Sequence, residues 1–552
     1  MRIVIILGAF ALRFIVIEHF INAGVVHVAQ DGDGSNGENW RTAYRTIGDA
    51  LIVTASGDEI WVKKGLYNES VVLESGVSLY GGFAGTENAD EFNLRDWVAN
   101  PTILDATRLD RSTILGATDA LLDGLTITGG VSSHGGGLAC LGTSMTVINC
   151  EIIGNRAEAT GESAFGGGIY CVSASLKLFD CSVSHNTVEV ARSDDQRSNL
   201  SAFGGGIYFS SGQLTVLRSN ISENQVLISG EAFEATNAAE GGGLYLAGTA
   251  LLQDCSIYSN DVAASARSFG NPGVDDTAFA RGGGLSARGD ISLSGCSIIG
   301  NSSSAGKRFE WSLITLSSAG AAFLNGDSKL VNCIIFDNWS SVEYLHDTIH
   351  GDRPIDMAIE GNFNMMNCTI VSRRFFEIQL PQKGNFFITN CIMVDGHGQI
   401  PYIAAENGIV SYSTVAHGSS NNPTNIDLLP RFVNFEHGDF RLLPDSPCID
   451  SASSSGPAFD LLGNPRPVDI PGVGREGEGA FDMGAYEFQL ADLPQPVTHA
   501  PDFLLYSIYW QRQDAQNETP FNETDFDRLN VIYDQQIDWA DIFYSLRYRK
   551  NE

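Results

Sequence analysis

The chain has 552 residues, 60 of them glycine, and a formal charge of −33 from 66 acidic against 33 basic side chains. That charge makes nucleic acid and anionic membrane surfaces poor partners, and it opposes strong binding of a polyanionic glycan unless cations bridge or basic residues cluster. Length alone would imply several domains, but a solenoid grows lengthwise without splitting, so internal repetition has to be read first.

Met1 to Ala23 carries Arg2, an apolar run, and then Arg13, Glu18 and His19. The run is too short and too interrupted to span a bilayer, and it reads as an export signal with a cut after Ala23. Residues 25–57 hold a first strand, VVHVA, a turn-rich DGDGSNG loop, and helical spacing from Thr42 through Tyr44, Ile47, Ala50 and Leu51. A short amphipathic helix there is expected to cover the open end of the first coil. The DGDG acids lack EF-hand spacing and read as a solvated turn. Strands SVVL, VSLYG, STIL and LLDGLTITGG then supply about three coils.

From Gly135 the pattern GGGLACLGTSMTVINCEIIGN repeats at Gly166, Gly204, Gly241 and Gly282 and decays through Asn338, with remnants at Met365 and Phe387. Period-two alternation of β-branched and aromatic residues marks strands, and stacked copies bury what one copy cannot. One column reads Cys150, Cys181, Ser219, Cys255, Cys296, Cys333, Cys368 and Cys391. Five residues on stands a second: Asn155, Asn186, Asn224, Asn260, Asn301 and Asn338. The cysteines fit an inward ladder of free thiols, since coil neighbours about 4.8 Å apart with parallel Cβ vectors bridge poorly; Cys448 is unassigned. The asparagines fit a turn with left-handed backbone and amide bonding from coil to coil, with glycosylation acceptors or ligands as the alternative. The glycine triplets fit a bend that admits no side chain; phosphate binding would need a following helix. Together these features predict an all-β fold, a parallel β-helix over residues 58–400 with an N-terminal helical cap and a small helical tail.

With these marks in place, the stretch from residue 26 to 489 resembles the bacterial right-handed parallel β-helix repeat proteins of secreted and surface type; looser Gly-Gly-Ala and Asn repeats mark the polymorphic outer-membrane proteins. The resemblance implies that the helix is right-handed and single-stranded, and it implies export, not a reaction.

Between each ladder asparagine and the next glycine triplet the loop length varies, as in RAEATGESAF and DVAASARSFGNPGVDDTAFAR. Insertions at one point of the coil must emerge on one edge. They carry Glu158, Glu162, Asp194, Asp195, Glu231, Glu234, Asp275 and Asp276. Asp194, Asp195, Asp275 and Asp276 are the candidate binding acids, able to hold calcium or meet sugar hydroxyls; a solvated acidic rim is the plainer reading.

Residues 401–489 close the body. SPCID, GNPRP and DMGAYE resemble the segment that precedes surface anchors in exported bacterial proteins, and the expected role is to cap the last coil. Asp450, Asp460, Arg466 and Asp482 are expected to form a buried ion network rather than a site. Residues 490–501 read as a proline-rich linker. In the 502–552 tail, NVIYDQQIDWADIFYSLRYR resembles a degraded dockerin loop. Asn530, Asp534, Asp538 and Asp541 are the candidate calcium ligands, while Ile532 and Gln535 break the pattern.

No catalytic residue emerges. Gly396-His397-Gly398 lacks the partners of a polygalacturonase, and Arg353 and Lys383 lack an acidic calcium cluster in register. The expected function is a non-catalytic exported or cell-surface binder of a glycan or surface protein at the cell envelope, with calcium as the one candidate cofactor. The alternative is a lyase or hydrolase of uronate-rich polysaccharide, because similar β-helices cleave such polymers.

Overall fold

The computed structural model describes residues 24–191, 199–229, 236–266, 276–307, 313–343, 357–372, 378–380, 384–395, 399–400, 408–416, 422–470, 473–475 and 481–489. They wind as a right-handed parallel β-helix, the hand that parallel crossovers take almost without exception. The signal, the linker and the dockerin-like tail with Asn530, Asp534, Asp538 and Asp541 lie outside the described residues.

One coil shows why the sequence folds this way. After Gly166–Gly168, the strand Ile169–Phe179 in sheet A turns Ile169, Cys171, Leu176 and Leu178 inward. Asp180 takes left-handed backbone (φ 54°), Cys181 enters the core, and Ser182–Ser184 pairs in sheet B. His185 bends the chain again (φ 55°), and Asn186 follows. The left-handed residue therefore sits one place before the asparagine expected to adopt it. Shifts between Trp61 and Lys63 and between Ser210 and Gln213 aside, the register carries equivalent positions over one another, so Leu178, Val216, Leu252, Leu293 and Leu330 form one core column and Val183, Ile221, Ile257, Ile298 and Ile335 another.

Left-handed corners cost on the order of 1–2 kcal/mol per non-glycine residue, and the asparagine column fixes them. Asn224 Oδ1 accepts from the Asn186 backbone N–H and Nδ2, both at 3.0 Å, while Asn224 Nδ2 donates to Asn260 Oδ1 at 3.0 Å and to the Val183 carbonyl at 2.9 Å. The same bonds link Asn155 to Asn186, Asn260 to Asn301 and Asn301 to Asn338. At the upper end Asn155 Oδ1 accepts from the Gly130 N–H at 3.1 Å. All ten cysteines are buried free thiols. Burial pushes the Cys181 thiol up to about 12, so it stays protonated.

The variable insertions are not a loose rim. Beyond each ladder asparagine the chain runs outward as a strand of sheet C, such as Thr187–Ala191, Gln225–Ser229 and Asp261–Ala266. It returns as a strand of sheet D, such as Leu200–Phe203, Thr236–Glu240 and Asp276–Arg281. The two sheets pack face to face over a separate core of small residues, including Ala157, Val188, Val190, Ala202, Val226, Ala239, Val262 and Ala280. They make a fin along the side of the helix.

At the N-terminal end the helix spans Ile47–Val53, later than its spacing predicts, because the Tyr44 backbone is spent on the first strand: its N–H donates to the His27 carbonyl and its carbonyl accepts from the Ala29 N–H. Thr46 caps it, the Glu69 carboxylate accepts from the Ile47 and Gly48 N–H groups at 2.9 Å each, and Ile47, Ala50 and Leu51 are buried. At the other end, the Asn422 and Asn425 amides donate to the Val410 carbonyl at 3.1 and 2.9 Å, and Thr424 Oγ1 accepts from the Tyr412 N–H. Side chains thus blunt the last strand edge.

The rest of the 401–489 module does not sit over the end, as expected of a cap; it lies along the outside of sheet B. That face carries Ser182, Asn220 and Ser256 in earlier coils and Ile334, Phe336, Val371, Ile392 and Val394 in later ones. The apolar stretch packs against Phe432, Phe440, Leu442, Cys448 and Met483. Corner asparagines hold it: Asn332 Nδ2 donates to the Phe459 carbonyl at 2.6 Å and Asn390 Nδ2 to that of Ser455 at 2.9 Å.

Inside the module the acids predicted to form a network do meet. Asp482 accepts from the Asp450 and Phe488 N–H groups at 2.8 and 2.6 Å, Asp460 from Asn464 at 2.8 Å, and Arg466 Nε lies 3.4 Å from Glu487 Oε2. Glu487 is the acid within ion-pair distance of Arg466, and Asp482 and Asp460 act on it through charge. Burial pushes Asp450 and Glu487 up to about 7, Glu487 against the pull of Arg466, and raises Asp482 as well.

Two outcomes follow. Asn224→Ala strands buried donors and acceptors on three neighbours and is expected to cost roughly 2–5 kcal/mol, read from the urea midpoint by circular dichroism; a loss no greater than that of exposed Asn220→Ala would refute the ladder's role. Because the folded pKa values of Asp450 and Glu487 are raised, their contribution is full below about pH 4 and lost as pH rises through about 7. Amide exchange in residues 440–488 should be slower at pH 5.5 than at pH 8, after correction for intrinsic rates, and Asp450→Asn should flatten the difference; faster corrected exchange at pH 5.5 would contradict this.

Candidate functional site

The fin creates an inner corner where the outward side chains of sheets D and A converge. Each returning D strand meets the first glycine of a triplet in left-handed backbone, Gly204 at φ 70° and Gly241 at φ 68°, and turns into sheet A. A side chain there would strike backbone within 2.4 Å. The sharp turn brings the register row Phe165, Phe203, Glu240, Arg281 of sheet D beside the row Tyr170, Tyr208, Tyr245, Ser286, Phe323 of sheet A.

Aromatic rings fill the first part of the corner. Tyr170, Tyr208 and Tyr245 stack at 5.2 Å between successive centroids, and Phe203 stacks on Tyr245 at 4.6 Å. His134 meets Tyr170 edge-on at 4.9 Å. Since the tyrosine faces are spent on one another, the stack offers ring edges and phenols. Burial, and secondarily the Glu240 charge, pushes Tyr245 up to about 12; burial raises Tyr170 and Tyr208 too, so the phenols remain protonated donors.

One coil further on the aromatic run gives way to charge. Glu240 is 1 % exposed. Its Oε1 accepts from Arg288 Nη2 at 2.5 Å, and its Oε2 accepts from Arg288 Nε at 3.2 Å and Ser286 Oγ at 2.9 Å. Burial would lower the Arg288 guanidinium, but hydrogen bonding and charge from Glu240 outweigh it and hold it above its ordinary value. Arg288 is therefore a fixed cation and a poor base. Arg281 stands on the other side, with its guanidinium 4.7 Å from the Phe279 ring centre and 4.9 Å from that of Phe323. Neutral donors, ring edges and a cation can bind and orient a ring-shaped ligand.

Of the candidate acids, Asp194, Asp195 and Asp275 lie outside the described residues, and Asp276 heads the D strand Asp276–Arg281. Glu231, Glu234, His397, Arg353 and Lys383 are likewise outside. Glu158 lies on the outer face of sheet C, paired with Arg156, which also reaches Glu189. Among the described residues no group of three or more acids, histidines or cysteines forms a cluster fit for a metal. The corner itself escaped the sequence reading, although its signals were there: Tyr170, Tyr208 and Tyr245 each follow a glycine triplet by one residue, and Phe165 and Phe203 each precede one.

No protein-family model matches the chain, and no curated protein matches it in sequence. Among solved structures it is similar to the pectate lyase Pel9A, at 12 % identity and a TM-score of 0.41 over 84 % of this chain and 96 % of that one. It is also similar to a pectin methylesterase in complex with a hexasaccharide, at 11 % identity and a TM-score of 0.25 over 71 % of this chain and 91 % of that one. At such identities neither says what this chain does.

Proposed function

We propose that the protein is an exported or surface β-helix that binds a glycan without cleaving it, using the corner between sheets A and D. The observation that carries this reading is the axial row of aromatic edges and phenols that ends on Glu240, Arg281 and Arg288. A linear ligand laid along the solenoid would meet equivalent groups once per coil, about every 4.8 Å. The commitment of Glu240 and Arg288 to each other supports binding over turnover, because neither is left to move a proton. The apolar stretch at Met1–Ala23 supports export.

Arg281 favours a second reading, action on uronate polymers, because its guanidinium pairs with Glu240 at 3.7 Å without a hydrogen bond to it. A glycan panel with and without calcium, run beside an absorbance assay for unsaturated products, separates the two. Retention without product is expected, with affinity falling about fivefold in Tyr208→Ala at unchanged circular dichroism. Product that vanishes in Arg281→Gln would make the protein a lyase, and retention of no glycan would end both readings.

A further inference from the structure

The two arginines of the corner are not equally engaged. Glu240 is saturated by Arg288 and Ser286, and Arg281 Nη1 at 3.7 Å from it is beyond hydrogen-bonding distance. The Arg281 guanidinium makes no hydrogen bond to any described residue; its one ionic contact among them is the 3.7 Å pair with Glu240. Its side chain is nevertheless held: Phe279 and Phe323 fix the guanidinium, and 23 % of the side chain is exposed. A planar cation with its faces against aromatic rings and its N–H edges unspent is shaped for one planar anion, bound by two parallel bonds.

The surroundings limit how many anions are welcome. Along the axis the sheet A row on either side of this point is Tyr208 and Tyr245 in one direction and Phe323 and Ala358 in the other, all neutral. A further carboxylate, Glu360, acts on Arg288 and accepts from Asn325 Nδ2 at 2.7 Å. The whole chain carries −33. A polymer with a charge on every unit would place one carboxylate well and the rest against rings, an acid and a repelling field.

We propose that the corner selects a neutral glycan bearing isolated carboxylates, with one carboxylate seated on Arg281 and the uncharged units along the aromatic row. This rests on the reading of the corner as a glycan-binding surface and names its ligand class.

Three polymers test it by affinity electrophoresis at low salt: neutral arabinoxylan, glucuronoxylan with its sparse carboxylates, and polygalacturonate with one on every unit. Glucuronoxylan is expected to bind about tenfold tighter than arabinoxylan, and polygalacturonate weakest. Arg281→Gln should bring glucuronoxylan down to the level of arabinoxylan measured on the same variant, and Arg281→Lys, which keeps the charge and loses the fork, should fall between. Thermal melts report whether either variant is folded; if Arg281→Gln is not, Arg281→Lys decides, and no loss for glucuronoxylan in it overturns the proposal. Equal binding of the two xylans, or tightest binding of polygalacturonate, overturns the proposal and leaves glycan binding standing; retention of none of the three removes both.

Discussion

The contact on which everything else depends is between the ladder asparagine and the third glycine of the triplet that opens its own coil. A β-carbon on Gly206 would lie 2.9 Å from Asn224 Nδ2, and one on Gly243 3.0 Å from Asn260 Nδ2. The amide can complete its four hydrogen bonds only if the chain passes this close, and it can pass only without a side chain. The two columns are therefore one feature, met twice in each coil. Because this clasp fixes where the chain leaves the coil and where it re-enters, the length and character of what lies between are free. The fin is built in that freedom.

In-register stacking repeats every choice down a column, which is favourable for some residues and costly for others. Leu, Ile, Val, Asn, Tyr and thiols gain by lying on their own kind. Like charges do not, and a chain with −33 must break its acidic columns. On the outside of sheet C the row Glu158, Glu189 is bridged by Arg156 and then continues as Leu227 and Ala263. At the first corner Arg218 is set against Asp180 at 2.6 Å.

Much of this was legible because a solenoid writes each constraint several times. The Cys and Asn columns, the strand period and the coil boundaries could be read from repetition alone; in the non-repeating C-terminal module Asp450, Asp460, Arg466 and Asp482 were legible only as charged residues near the end of the body that were expected to meet, and Glu487, which pairs with Arg466, was missed. What stayed hidden was whatever occurs once or depends on an unrepeated partner. TVEVA and QVLIS alternate as strands should, but at five residues inside segments of varying length they read as loop. The docking of the module on sheet B had a signal in the change from CSVS at Cys181 to CIIF at Cys333, where outward serines become isoleucine and phenylalanine; without the partner in view, those residues read as more core. The left-handed corners occur just before the asparagines because the side chain of each asparagine, not its backbone, performs the turn's bonding.

The corner follows from the same rules. A row that begins Phe165, Phe203 and then places a carboxylate at Glu240 has to neutralise it, since that carboxylate is buried between two sheets. Either neighbour in the stack could supply the cation. Arg288 does so from sheet A with two bonds, and Ser286 adds a third. Arg281, the next residue in the row of Glu240 itself, is then surplus to the structure's own needs, and yet its guanidinium is braced by two phenylalanine rings. A guanidinium braced by two rings, with an ion pair to Glu240 but no hydrogen bond to it, is the group that the proposed carboxylate ligand would meet.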